Sequence, residues 1–137
     1  MDPYRHTGQY YETDKMGITH HSNYIRWMEE ARIDFLRQIG WGYDKLEAQG
    51  IISPVTAVEC KFRTATTFPD EIEIRVTVSE MKGAVLKLSY IMTNQDRKKV
   101  CESRSEHCFV NPAGKIVRLS KECPDFYEAL MAYAEQQ

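Results

Sequence analysis

From Asn23 to about Ile39 the apolar residues Tyr24, Trp27, Met28, Ala31 and Phe35 fall at i, i+3, i+4, i+7 and i+11, the spacing of one helical face. Arg26, Glu30, Asp34 and Arg37 form a narrow polar stripe, while Ile25 and Leu36 widen the apolar arc. The pattern predicts a mostly enclosed helix, about 25 Å long by its rise per residue. Ser22 is the expected N-cap and Gly40 the stop. Glu30 is placed to pair with Arg26 four residues earlier. A shorter helix is predicted over Tyr43 to Gln49, ending at Gly50.

Beyond it the period drops to two. Thr56, Val58, Cys60 and Phe62 alternate with Ala57, Glu59, Lys61 and Arg63, and Ile72, Ile74, Val76 and Val78 alternate with Glu71, Glu73, Arg75 and Thr77. A third strand carries Leu86, Leu88, Tyr90 and Met92 on one face. A fourth runs near Lys99 to Val110, after the break at Asn94-Gln95-Asp96. Lys82-Gly83 reads as a hairpin turn and Asn111-Pro112-Ala113-Gly114 as another. A short strand is expected from Tyr4 to Tyr10, and Pro124 suits the first turn of a last helix reaching toward Ala134. Consecutive strands with one apolar face, joined by short turns, predict an antiparallel sheet whose packing partner is the long helix. The fold class is α+β, a sheet of about five strands curled over one central helix, in a single domain spanning 1–137.

Charge then removes several functions. With 18 basic and 20 acidic residues the formal net charge is -2, and no Lys/Arg block marks a nucleic-acid-binding arm. No uncharged apolar run approaches membrane-spanning length, so no membrane partner is expected, and a cytoplasmic protein is. Cys60, Cys101, Cys108 and Cys123 lack CxxC spacing and read as reduced thiols. Cys101, His107 and Cys108 are close in sequence but not as metal ligands. In a strand the first two share a face about 20 Å apart and Cys108 points the other way, so no metal is expected.

Chemistry is concentrated in Tyr10 to Tyr24, where a carboxylate, a glycine turn and paired histidines precede the long helix. A helix start offers unpaired N–H groups and partial positive charge, which can polarise a carbonyl while a nearby carboxylate attacks it or activates water. Asp14 is the candidate acid, although a turn aspartate also hydrogen-bonds its own backbone as a matter of course. Gly17 permits torsions and close approach that a side chain would obstruct. His20 and His21 sit where the helix dipole disfavours imidazolium, and Tyr24 heads the apolar stripe with its hydroxyl at the rim. Lys61, Arg63, Lys82 and Lys87 could meet ligand phosphates. Ser105, Ser120 and the cysteines lack an adjacent base for a triad.

The runs Tyr11-Glu12-Thr13-Asp14-Lys15-Met16-Gly17, His20-His21-Ser22-Asn23-Tyr24 and Glu29-Glu30-Ala31-Arg32 resemble the hotdog-fold acyl-CoA thioesterases of the 4-hydroxybenzoyl-CoA thioesterase type. The likeness covers nearly the whole chain, and the D-x-x-G-x-x-x-H-x-x-Y pattern falls on Asp14, Gly17, His21 and Tyr24. The resemblance implies a hotdog fold and hydrolysis of an acyl-CoA to a free acid and CoA. It gives Asp14 the role of nucleophile or general base and sets a backbone N–H near His21 against the thioester oxygen. It further implies catalytic Asp14 and His21, substrate-binding Gly17 and Tyr24, no cofactor, and homodimers or homotetramers with active sites at the subunit interface. Two stretches depart from the family pattern: Phe62-Arg63-Thr64-Ala65 lacks the usual proline, and Pro69-Asp70 stands where Gly-Asp is usual, which could reshape the substrate entrance. Rival expectations are a noncatalytic acyl-CoA or acyl-carrier binding protein of the same fold, and a module whose only surface is its subunit contact. A hotdog dehydratase would need a histidine placed against an acid across the interface, whereas Asp14 sits ahead of the helix rather than within it.

Overall fold

The structure is a computed structural model and describes residues 1–134. Five antiparallel strands form one sheet in the order β1-β3-β4-β5-β2: β1 Tyr4–Thr7, β2 Val55–Phe62, β3 Glu71–Lys82, β4 Val85–Thr93 and β5 Lys99–Cys108. The long helix α1, Ser22–Gln38, packs against its inner face. The predicted alternation sets the pairing. Ile74 lies opposite Met92 and Val78 opposite Leu88, so the apolar residues of β3 and β4 face the helix together. Met92, Cys101 and Ile74 are fully buried there beside Trp27. In β3 the register shifts between Val78 and Glu80, an extra residue at Ser79 that lets both Val78 and Met81 point inward.

The sheet closes at one end with α3, Leu119–Glu122, and α4, Pro124–Met131, where Phe126 meets Trp41 and Phe109. The short α3 had no periodic signal, and α4 stops three residues before the predicted limit. α2 runs Tyr43–Ala48, one residue shorter than predicted, and β1 ends at Thr7 because Tyr10–Glu12 turn into a short 3-10 helix. Ser22 is the first residue of α1 rather than its cap. His21 holds the cap position, and the His20 ring nitrogen Nδ1 accepts the Ser22 N–H at 3.2 Å. Glu30 pairs with His6 at 3.3 Å instead of Arg26, and Ile25 is exposed.

The largest departure is β2. Seven of its eight residues are exposed and Cys60 is half-buried, so the expected inner face is bare, Val58 and Phe62 included. Among the described residues only one edge of β2 is paired, to β5. Among the described residues no helix is long and apolar enough to cross a membrane.

Candidate active site

Asp14 sits in a turn tied at both ends. Its N–H donates to the Ile18 carbonyl at 2.8 Å, its own carbonyl accepts the Gly17 N–H at 2.9 Å, and Oδ1 accepts the Met16 N–H at 2.8 Å. The carboxylate therefore spends one oxygen on the turn and keeps Oδ2 for other work. Gly17 closes the turn at φ +79°, a left-handed conformation that explains the glycine. It lies at the turn rather than among the residues lining the cavity.

That cavity, of about 230 Å³, opens at the start of α1 between Asp14, Met16, Ile18, Thr19, His21, Tyr24 and the segment Phe62–Ala65. Two predicted catalytic residues, Asp14 and His21, thus share one wall, though among the described residues no hydrogen bond joins them. The His21 amide N–H likewise donates to no group of the described residues. Its ring stacks on His20 at 4.3 Å and meets Phe62 edge-on at 6.3 Å. His20 is turned to the helix start, with Nδ1 2.9 Å from Ser22 Oγ. Tyr24 lines the cavity, with its ring 5.1 Å from Phe62, while its hydroxyl lies 3.0 Å from Thr66 Oγ1. Burial raises the Tyr24 pKa. Of the basic candidates only Arg63 reaches the rim, and its guanidinium is 2.8 Å from Glu102. Lys87 pairs instead with Glu80 and Glu106.

Four residues that sequence reasoning passed over hold this wall in place. Thr66, fully buried, accepts the Thr19 N–H on its carbonyl at 2.8 Å and donates its hydroxyl to Thr19 Oγ1 at 2.7 Å. Next to it the Thr67 hydroxyl donates to the Gly17 carbonyl at 2.7 Å. Gly8 backs this segment: its N–H donates to the Asp70 carbonyl at 2.8 Å, and a Cβ added there would lie 2.8 Å from the Thr67 carbonyl oxygen.

Behind the turn Glu12 is buried. Its Oε2 accepts the Trp27 Nε1–H at 2.8 Å, and its Oε1 takes the Gln9 N–H at 2.8 Å and His6 Nε2 at 2.9 Å. Burial works to raise the Glu12 pKa, but these hydrogen bonds outweigh it and hold the carboxyl below its ordinary value. The Glu12 carbonyl also accepts the His20 N–H at 2.9 Å and Asn23 Nδ2–H at 3.0 Å, which joins the acid's turn to the helix start. An acid between two exposed tyrosines and a threonine carried no periodic signal. The departures at Phe62–Pro69 were the only hint of Thr66, since that segment lies directly on the Asp14 turn.

The arrangement offers a carboxylate oxygen, an unpaired backbone N–H at a helix start and a partly apolar cavity between them, a set suited to activating water or attacking a polarised carbonyl. Known proteins share the frame. The chain matches a crystal structure of a DHNA-CoA thioesterase from Staphylococcus aureus with TM-score 0.90 and 29% identity, over 96% of this chain and 89% of that one. A protein of Aquifex aeolicus superposes with TM-score 0.83 and 35% identity, over 90% of this chain and 97% of that one. The acyl-CoA thioester hydrolase YbgC of Escherichia coli O6:H1 is 25% identical over 104 residues, which are 75% of this chain and 78% of that protein. The α+β architecture is the hotdog arrangement that the family resemblance implied. The sequence model of the Thioesterase-like superfamily matches residues 9–131, and the chain belongs to that family.

Proposed function

We propose that this protein hydrolyses an acyl-CoA thioester to a free carboxylic acid and CoA, with Asp14 as the reacting acid. The observation that carries the reading is the placement of the Asp14 carboxylate and the unpartnered His21 N–H on one cavity wall at the start of α1. The named activities of the S. aureus and E. coli relatives support the same reaction class. As general base, Asp14 takes a proton from water, whose oxygen attacks the thioester carbonyl. The His21 N–H and the helix start stabilise the resulting oxyanion. The C–S bond then breaks, and the thiolate leaves and takes up the proton. As nucleophile, Asp14 attacks the carbonyl directly, the C–S bond breaks and CoA leaves as the thiolate; water then cleaves the mixed anhydride to the free acid and the Asp14 carboxylate, and its released proton goes to the thiolate. The His21 ring and Tyr24 orient the acyl group, and the Gly17 turn keeps the entrance free of side chains.

A homodimer or homotetramer with sites at the subunit interface fits the free edge of β2 and its bare apolar residues. Phe62, exposed at 52%, belongs to both β2 and the cavity wall. A second reading follows from Asp14 Oδ1, which already serves the turn: a noncatalytic acyl-CoA or acyl-carrier binding protein. A thiol-release screen over acyl-CoAs of different length and aromaticity separates the two. Turnover of at least one thioester is expected, and saturable binding without released thiol would favour the binding protein.

A further inference from the structure

Three hydroxyls run from the core to the cavity wall, and their protons can be assigned. Each carries a single donor. Thr66 donates its proton to Thr19 Oγ1 at 2.7 Å. The contact of 3.0 Å between Tyr24 OH and Thr66 Oγ1 must then be donated by Tyr24. The Thr19 proton, at the end of the chain, is taken by no described residue, and Thr19 lines the cavity with Asp14, Ile18 and His21.

The surroundings fix where that donor sits. Thr66 and Tyr24 are 1% and 4% exposed, and Thr19 is 6% exposed. The Thr19 N–H is held by the Thr66 carbonyl at 2.8 Å, and its backbone bridges to Thr13, next to Asp14. Its β-branched side chain has few rotamers. A hydroxyl that already accepts a hydrogen bond, from a partner that itself accepts one, is a stronger donor toward a third group. Facing the cavity with no acceptor for its proton among the described residues, this hydroxyl is free to donate to a carbonyl oxygen seated there, in exchange for a contact with water.

We propose that the Thr19 hydroxyl is a substrate-contacting donor: it hydrogen-bonds the thioester carbonyl oxygen beside the His21 N–H and strengthens that bond as the oxygen becomes negative. The Tyr24 and Thr66 hydroxyls are positioning groups that polarise and aim it. This assignment rests on the reading of the Asp14 cavity as a thioester hydrolysis site.

The test compares Thr19→Val, which removes the hydroxyl and keeps the shape, with Thr19→Ser, which keeps the hydroxyl, on the acyl-CoA that the unsubstituted protein turns over fastest. Thr19→Val is expected to lower kcat by about 10-fold to 100-fold, somewhat less than loss of a principal oxyanion donor, with KM changed by less than about 3-fold. Thr19→Ser is expected to recover kcat to within about 3-fold. If Thr19→Val does not fold, Thr19→Ala against Thr19→Ser gives the same comparison. A hydroxyl-free variant as fast as the unsubstituted protein, alongside an inactive Asp14→Asn, overturns the role of Thr19 and leaves the hydrolase reading standing. Equal losses in Thr19→Val and Thr19→Ser also overturn it, because they trace the effect to packing. Absence of thiol release from the unsubstituted protein across the screen overturns both readings together.

Discussion

Two polar networks flank α1, and they differ in what their groups can reach. At its N-terminal end, Asp14, Thr19 and His21 sit on the wall of a cavity. Deeper in the fold, Tyr90 OH lies 2.7 Å from Ser105 Oγ and Ser105 Oγ lies 2.7 Å from His107 Nε2, a chain sealed under the sheet with Arg32 and its partner Glu29 nearby. Both contain histidine and hydroxyls at hydrogen-bonding distance. The second is closed from solvent, with Tyr90, Ser105 and His107 all buried, and desolvation dominates its acid–base balance. Burial first and Arg32 second push the His107 pKa down to about 4, and burial drives Tyr90 up to about 12. Residue type alone would rank His107 beside His21. Access separates them, because a group sealed from substrate can only stabilise or destabilise the fold.

The sharpest way to break this contrast is Asp14→Asn. An amide keeps an oxygen to accept the Met16 N–H, so the turn should persist and the melting temperature should hold. Thiol release should fall by about 10²-fold to 10⁴-fold, the range for loss of a general acid or base. An unchanged rate would make the carboxylate a turn residue only.

His107→Gln should behave in the opposite way, with kcat at pH 7 within about 3-fold of the parent and the effect confined to stability. Since the folded pKa of His107 is depressed below the ordinary 6.5, its contribution is fully present above 6.5 and is lost as pH falls through about 4. The parent should thus lose about 3 kcal/mol from this group between pH 7 and pH 4. Urea titrations of both proteins across that window should show the parent falling more steeply. Parallel curves would remove His107 as a titrating group.

Glu12→Gln probes the junction of the two regimes, a buried acid that ties the Asp14 turn to the start of α1. Loss of the charge-assisted bonds to Trp27, His6 and Gln9 should cost about 1–3 kcal/mol at neutral pH. The folded Glu12 pKa is depressed, so the gap between the two proteins should be full above about 4.3, the unfolded value, and close as pH falls through the folded one. A gap that persists in acid would assign the effect to packing. The smallest change expected is that of Gly17→Ala, where an added Cβ meets nothing within 4 Å and only the left-handed torsion is penalised, by about 1–2 kcal/mol. A calorimetric scan would detect it as a shift of a few degrees.

Much of this organisation can be read from residue order, and the exceptions share a cause. Tyr24, Trp27, Met28, Ala31 and Phe35 announce α1, and Leu86 to Met92 announce β4, because a buried face leaves a period in the sequence. Asp14 and His21 stand out because a turn signal and a helix start bracket them. Glu12, Thr19 and Thr66 leave no such trace: their roles come from contacts spanning 15 and 47 residues, which no local pattern encodes. Glu30 fails for the same reason, since the sequence offers Arg26 one helical turn away and the fold offers His6. In β2 the alternation is plain, yet its apolar residues are bare. A period-two pattern records an apolar face without saying what, if anything, in the same chain covers it.

Gly8 shows how far the consequences of that hidden wiring extend. It lies outside the motif and beyond the cavity wall, and a methyl group there would press on the backbone carbonyl of Thr67, whose hydroxyl holds Gly17 in the turn that carries Asp14. An alanine at position 8 looks harmless in a substitution table, but one added carbon would be transmitted through two residues to Asp14. In screens for altered acyl preference, position 8 is therefore better kept fixed, while the exposed rim offers room to vary.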